Sequence, residues 1–157
     1  MLLGQFTIDV RMLEVIVLAA GRGTRMKSEL PKVLHPIGGK PMVACVLDTA
    51  RQLGAERIHV VVGHGASQVS DAVAAPDVEI YMQSKQLGTG HAALQAAPYC
   101  HADSTVLILF GDVPLLSAGV LADVVSAAET QPTLLAAMLE DPTGYGRVIR
   151  NTDGGFA

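Results

Sequence analysis

Leu18-Ala19-Ala20-Gly21-Arg22-Gly23-Thr24-Arg25-Met26, continued by Pro31-Lys32-Val33-Leu34 and Gly38-Gly39-Lys40-Pro41-Met42, is the stretch on which the reading of this chain turns. The run Val15-Ile16-Val17-Leu18 leads into it. That run is β-branched and does not alternate, so it reads as a strand buried on both faces. The strand then gives way to small residues and glycines, which let a backbone approach a ligand closely. Exposed N–H groups in such a turn form a concavity suited to phosphate oxygens. Arg22, Arg25, Lys27, Lys32 and Lys40 fall in the same segment, and Glu29 is its one carboxylate. The 157 residues hold 11 Lys plus Arg and a formal net charge of −4, so these cations are concentrated, not scattered. The segment reads as a polyphosphate-binding loop.

Two familiar phosphate loops are excluded. A dinucleotide fingerprint needs a third glycine where this chain has Met26, and a P-loop needs Gly-Lys-Ser/Thr where it has Gly39-Lys40-Pro41.

Working outward, Pro41 to Leu53 reads as a helix ended by Gly54, with Val43, Val46, Leu47, Ala50 and Leu53 as its core stripe. Ile58 to Val62 is a second buried strand, followed by Gly63-His64-Gly65 and a short helix burying Val69, Ala72 and Val73. His64 reads as a solvated turn residue. Val78 to Met82 is a third strand and leads to Gln83 and Gln86-Leu87-Gly88-Thr89-Gly90-His91. Thr89 is placed to cap the helix through Ala97, and Gly88 and Thr89 are placed to lie against a nucleoside. Thr105 to Phe110 is the most apolar strand and stops at Gly111-Asp112-Val113-Pro114. A carboxylate there sits where open α/β sheets bind ligands. Mg²⁺ prefers carboxylate and phosphate oxygens, which makes Asp112 the expected metal ligand; the alternative is an Asp that only opens the turn before Pro114. A helix over Ser117–Glu129, with Leu121, Val124, Val125 and Ala128 inward, a fifth strand over Thr133–Met138, and a turn plus further strand through Asp141–Ile149 complete the reading.

Alternating strands and helices predict an α/β fold with a mostly parallel sheet. Right-handed crossovers then place the loops after Leu18, Met82 and Phe110 on one edge. Length supports one domain with a full core. The acidic balance, pI about 5.6, argues against nonspecific nucleic-acid binding. No apolar stretch approaches the ~20 residues that span a membrane, and residues 1–11 lack a secretory pattern. Those residues read as an extension outside the fold, which starts near Met12. Cys45 and Cys100 lack metal-ligand spacing and read as free thiols, Cys45 in a helix and Cys100 in a loop.

The Gly-x-Gly-Thr-Arg and Pro-Lys pattern resembles the opening motif of sugar nucleotidyltransferases. The fuller run Leu18–Met26 with Leu30-Pro31-Lys32-Val33-Leu34-His35, together with Gln86–His91 and Asp141-Pro142-Thr143-Gly144-Tyr145-Gly146-Arg147, resembles one group: the bacterial bifunctional UDP-N-acetylglucosamine pyrophosphorylase/glucosamine-1-phosphate N-acetyltransferases. The likeness runs from about Leu13 to Phe156. It implies a Rossmann-like sheet with helices on both faces, and Mg²⁺-dependent uridylyl transfer from UTP to N-acetylglucosamine 1-phosphate in the cytoplasm, serving cell-wall and lipopolysaccharide precursors. It further implies that Leu18, Ala19, Ala20, Gly21 and Gly23 hold the nucleotide, and that Arg25 and Lys32 stabilise the reacting phosphates. Gln83, Gly88 and Thr89 then contact the uridine, Gly111 and Asp112 form the metal segment, and Gly146 meets the sugar. A transferase for another sugar or nucleotide, such as a thymidylyltransferase, shares the core pattern, and a nucleotide-binding module without turnover is a further alternative.

Phe110 stands where members of that group carry Tyr. They also continue with sugar-binding residues, a second metal ligand, and a β-helix that carries the acetyltransferase site and forms the trimer. The sequence matches the first part of the uridyltransferase half, residues 12–157. On its own this part is expected to be monomeric or aggregation-prone, with weak UTP binding and little turnover.

Overall fold

The computed structural model describes residues 12–23, 26–128, 131–152 and 155. The extension at 1–11 and the cation Arg25 lie outside the described residues. Strand β1 (Leu13–Ala19) is buried at all seven positions. The cause is its place in the sheet. Strands β4 (Arg57–Val62), β5 (Val78–Met82) and β6 (Thr105–Phe110) join it in one sheet of order β5-β4-β1-β6, every pairing parallel. A central parallel strand is covered above and below by crossover helices, so it has no solvent face and needs no polar alternation.

The two faces are covered unequally. Val15, Val17 and Ala19 join the core made with α1 (Met42–Gln52), α2 (Ala66–Val73) and α4 (Ala118–Ala127). Ile16, Leu18 and Ala20 face α3 (Thr89–Ala96) through Ala92 and Ala96. Each fully buried aliphatic side chain contributes ~1.5–3 kcal/mol, so the larger face supplies most of the cohesion. Between β1 and α1 the chain makes a 3-10 turn at Lys32–Leu34 and a small hairpin of β2 (Pro36–Ile37) with β3 (Lys40–Pro41).

Helix α1 buries Val43, Val46, Leu47 and Ala50, and Leu53 follows them into the core. Gly54, at φ +78°, stops the helix where an L side chain would be strained. Ser117 caps α4, its Oγ accepting from the Val120 N–H at 3.4 Å. Of the expected inward residues, Leu121 and Val125 are buried while Val124 and Ala128 are half-buried. In α2 Val69 and Val73 are buried but Ala72 is exposed.

Three expectations are corrected. Thr89 does not cap α3: Gly88 takes the cap position, Thr89 begins the helix, and no side chain caps it. Strand β6 is an edge strand, not a fully buried one. Leu107 and Leu109 enter the core, but Val106, Ile108 and Phe110 are 39%, 46% and 48% exposed because α3 packs over β4, β1 and β5 instead. Thr133–Met138 forms no strand, and neither does the run after Gly146. Residues 131–135 and β6 line the same groove of about 780 Å³. No ladder joins them, and strand propensity without a ladder partner forms no strand.

Candidate functional site

The carboxyl ends of β1, β5 and β6 open on one edge, as parallel pairing requires, and a cleft of about 600 Å³ lies there. From the end of β1 and the chain after it come Leu18, Ala20, Gly21, Gly23 and Lys32; from the loop after β5 and the start of α3 come Gln83, Gly88 and Thr89; just past β6 comes Asp112. These are nine of the residues singled out in the sequence, drawn from segments up to 94 positions apart.

Glycine is required at Gly23. Its φ is +58°, and a Cβ there would lie 2.7 Å from Lys32 Cβ. The loop therefore folds down onto the stem of Lys32 and fixes where that side chain leaves the backbone. Lys32 Nζ then donates to Asp112 Oδ2 at 2.6 Å, across 80 residues of sequence. The two side chains are about one-third exposed, 37% and 30%. This pair places one cation and one anion side by side in the cleft, the arrangement needed to meet both a phosphate and a metal bound to it.

The opposite wall is built of carboxamides. Gln83 is buried, and its Nε2 donates to the Gly88 carbonyl at 3.2 Å and to His91 Nδ1 at 3.0 Å. Both amide hydrogens are engaged, so Oε1 is the polar atom this side chain has left to offer. Gln86 donates from Nε2 to the Ala20 carbonyl at 2.9 Å and ties the β5 loop to the glycine loop. Met26, Val33, Ala92 and Phe110 supply apolar wall. Gln86 and these four were not singled out as binding residues; only their flanking motifs were visible, since wall contacts depend on how loops meet.

Three expected residues stand elsewhere, and a fourth is not among the described ones. Ala19 is buried in the larger core, on the face away from the cleft wall formed by Leu18 and Ala20. Gly111 sits behind the lining, its N–H donating to the Leu18 carbonyl at 2.9 Å. Gly146 is exposed and follows a turn at Pro142–Tyr145, outside the cleft. Arg25 lies outside the described residues. Asp112 is the one carboxylate among the described residues that line the cleft. Mg²⁺ is commonly held by one or two carboxylates plus substrate phosphates, so this donor set fits it.

A parallel sheet carrying a glycine loop, paired carboxamides and a lysine–aspartate pair at its carboxyl edge defines an α/β nucleotidyltransferase fold. The chain belongs to the MobA-like NTP transferase domain family, whose pattern matches residues 15–148. It is 56% identical over 144 residues to the bifunctional protein GlmU of Cellvibrio japonicus, covering 91% of this chain and 32% of that protein. Against the bifunctional protein GlmU of Pseudomonas aeruginosa it is 54% identical over 143 residues, 90% of this chain and 31% of that one. The chain thus spans about a third of the length of these relatives. Among solved structures it resembles a nucleotidyl transferase from Methanothermobacter, with TM-score 0.67, 25% identity, and 73% of this chain and 57% of that chain covered. It also resembles Rv0371c of Mycobacterium tuberculosis in complex with manganese, with TM-score 0.62, 26% identity, and 74% and 59% covered. No helix among the described residues is long and apolar enough to cross a membrane.

Proposed function

We propose that this chain is the nucleotide-binding part of a Mg²⁺-dependent uridylyltransferase that converts UTP and N-acetylglucosamine 1-phosphate to UDP-N-acetylglucosamine and pyrophosphate. The observation that carries the reading is the Lys32–Asp112 pair, held at 2.6 Å beside the glycine loop at the carboxyl edge of the sheet. The bifunctional GlmU relatives supply the choice of reaction. In this reading the sugar phosphate oxygen attacks the α-phosphorus of UTP in line, and the bond to the leaving pyrophosphate breaks. That oxygen is already ionised near neutral pH, so the site needs no strong base. Its work is alignment and neutralisation of developing charge. Lys32 turns from Asp112 to the phosphates, and Arg25 adds a second cation. Asp112 would hold Mg²⁺, which when bound neutralises phosphate oxygens. Backbone N–H groups around Ala20–Gly23 receive the polyphosphate, and Gly111, behind the lining, supports the segment that carries Asp112. Gln83 Oε1 accepts from the imide N–H of uracil, a donor that cytosine lacks at the same ring position. Gly88 and Thr89 lie against the nucleoside, and Gly146 is assigned to the sugar. On this reading the protein acts as a precursor-forming transferase of the cytoplasm.

The test is nucleotide binding by calorimetry with Mg²⁺ present, alongside pyrophosphate release. UTP should bind more tightly than CTP or dTTP, and release should require N-acetylglucosamine 1-phosphate. Equal affinity for UTP and CTP would overturn the base assignment. A preference for dTTP with another sugar phosphate would identify a different transferase.

A further inference from the structure

At the other end of β1 lies a buried polar group that the cleft does not use. Glu14 and His59 are both 0% exposed, and Glu14 Oε2 meets His59 Nε2 at 2.7 Å. Glu14 lies four residues before Leu18, about 13 Å along the strand from the cleft. Cys100, in the loop after α3, completes a set in which one carboxylate oxygen, one imidazole nitrogen and the thiol sulfur lie within 4.8 Å of one another.

The hydrogen bonds around this set orient it. Tyr81 donates its hydroxyl proton to Glu79 Oε2 at 2.6 Å, so its oxygen accepts from His59 Nδ1 at 3.1 Å. Nδ1 therefore carries a proton toward Tyr81, and Nε2 faces Glu14 Oε2 at hydrogen-bond distance. A proton shared between Nε2 and Oε2 holds them at 2.7 Å, and a metal ion would replace that proton. The remaining Glu14 oxygen, Oε1, accepts from the His101 N–H at 2.8 Å, which leaves Oε2 as a single ligand atom. Histidine ligands of metals are held in this way, with the far ring nitrogen donating to an outer partner.

We propose that Glu14 Oε2, His59 Nε2 and Cys100 Sγ form a binding site for one zinc-class divalent ion, separate from the nucleotide cleft. Bond lengths of ~2.0–2.3 Å about a tetrahedral ion put these atoms ~3.3–3.7 Å apart, so Glu14 and His59 would separate by up to about an ångström and Cys100 would close by up to about 1.5 Å. A mixed thiolate, imidazole and carboxylate set selects zinc-class ions and not Mg²⁺, which takes oxygen ligands. The charges balance, because a thiolate and a carboxylate neutralise a divalent cation. On binding, the proton shared by Glu14 and His59 and the thiol proton of Cys100 leave to solvent. The half-buried Cys100 loop is the entry path. The ion would tie β1, β4 and the loop after α3 at the amino end of the sheet.

The test uses the reduced 157-residue chain titrated with Co²⁺ alone, then Zn²⁺. One equivalent of Co²⁺ should give tetrahedral visible bands and a thiolate-to-cobalt charge-transfer band, both removed by Zn²⁺. Cys100→Ser should abolish the charge-transfer band and weaken affinity about tenfold or more. Cys45→Ser and Asp112→Asn should leave both signals intact. Zn²⁺ should raise the melting temperature of the parent and of Cys45→Ser but not of Cys100→Ser. His59→Gln should lose the tetrahedral bands. If that variant does not fold, the Cys100 comparison decides. No charge-transfer band, a band that survives Cys100→Ser, or a band lost in Cys45→Ser would each overturn the proposal.

Discussion

Replacing Lys32 by alanine separates function from folding because of how the residue is held. Its Cβ is the atom against which Gly23 folds, and alanine keeps that atom, so the loop retains its seat. What disappears is the ammonium that reaches Asp112 at 2.6 Å. At 37% and 30% exposure the pair is screened by solvent, so its loss costs stability only ~0.2–1 kcal/mol. For a chain of this size ~1 kcal/mol corresponds to a fall of roughly 2–4 °C in melting temperature. The catalytic cost is larger. One missing preorganised charge at a reacting phosphate costs ~3 kcal/mol of barrier, on the order of a hundredfold in rate. The assay compares pyrophosphate release, in a chain that includes the sugar-binding residues, with thermal melting of the same protein. The expected result is a rate down by about two orders of magnitude with the melt moved by a few degrees. An unchanged rate would refute the phosphate assignment. A melt lowered by more than about 10 °C would refute the claim that the pair is structurally minor.

Asp112→Asn should raise the Mg²⁺ concentration needed for turnover and leave the melt nearly unchanged; a superimposable Mg²⁺ titration would show Asp112 to be a turn residue. Gln83→Glu removes both donors from a buried position, leaving His91 Nδ1 and the Gly88 carbonyl without their side-chain donor, so urea unfolding should show a loss of ~1–3 kcal/mol. Gly65→Ala forces a side chain onto a residue at φ +64° and into the Pro31 ring, which should cost ~2 kcal/mol and lower the melting temperature by roughly 4–8 °C. Asp77 is held below its ordinary carboxylate value chiefly by its hydrogen bond from Arg51, whose Nε reaches Oδ2 at 2.7 Å. A depressed carboxylate stabilises the fold above its unfolded value of 3.8 and loses that contribution as pH falls through the lower folded value. Asp77→Asn should therefore be less stable than the parent at pH 7, by under ~1 kcal/mol at this exposed pair, and the difference should shrink below pH 3.8 in urea melts.

The sequence determined which segments are strands and helices wherever burial is two-sided or periodic. Leu13–Ala19 had to be central because it is apolar without alternation, and α1 had to end at Gly54. Parallel order followed from alternation of elements, and it brings the ends of β1, β5 and β6 to one edge, which is why nine of the expected residues line one cleft. Tertiary structure decided what depends on partners distant in sequence. Lys32 meets Asp112 across 80 residues, Gln86 meets the Ala20 carbonyl across 66, and Glu14 meets His59 across 45, and no local pattern encodes those meetings. The cap of α3 fell on Gly88 because Gln83 and the α3 backbone both claim its carbonyl, which a reading of Thr89 by residue type could not show. Thr133–Met138 has strand composition yet forms none, because a strand exists only with a ladder partner, and pairing is a property of the assembled sheet and not of the segment.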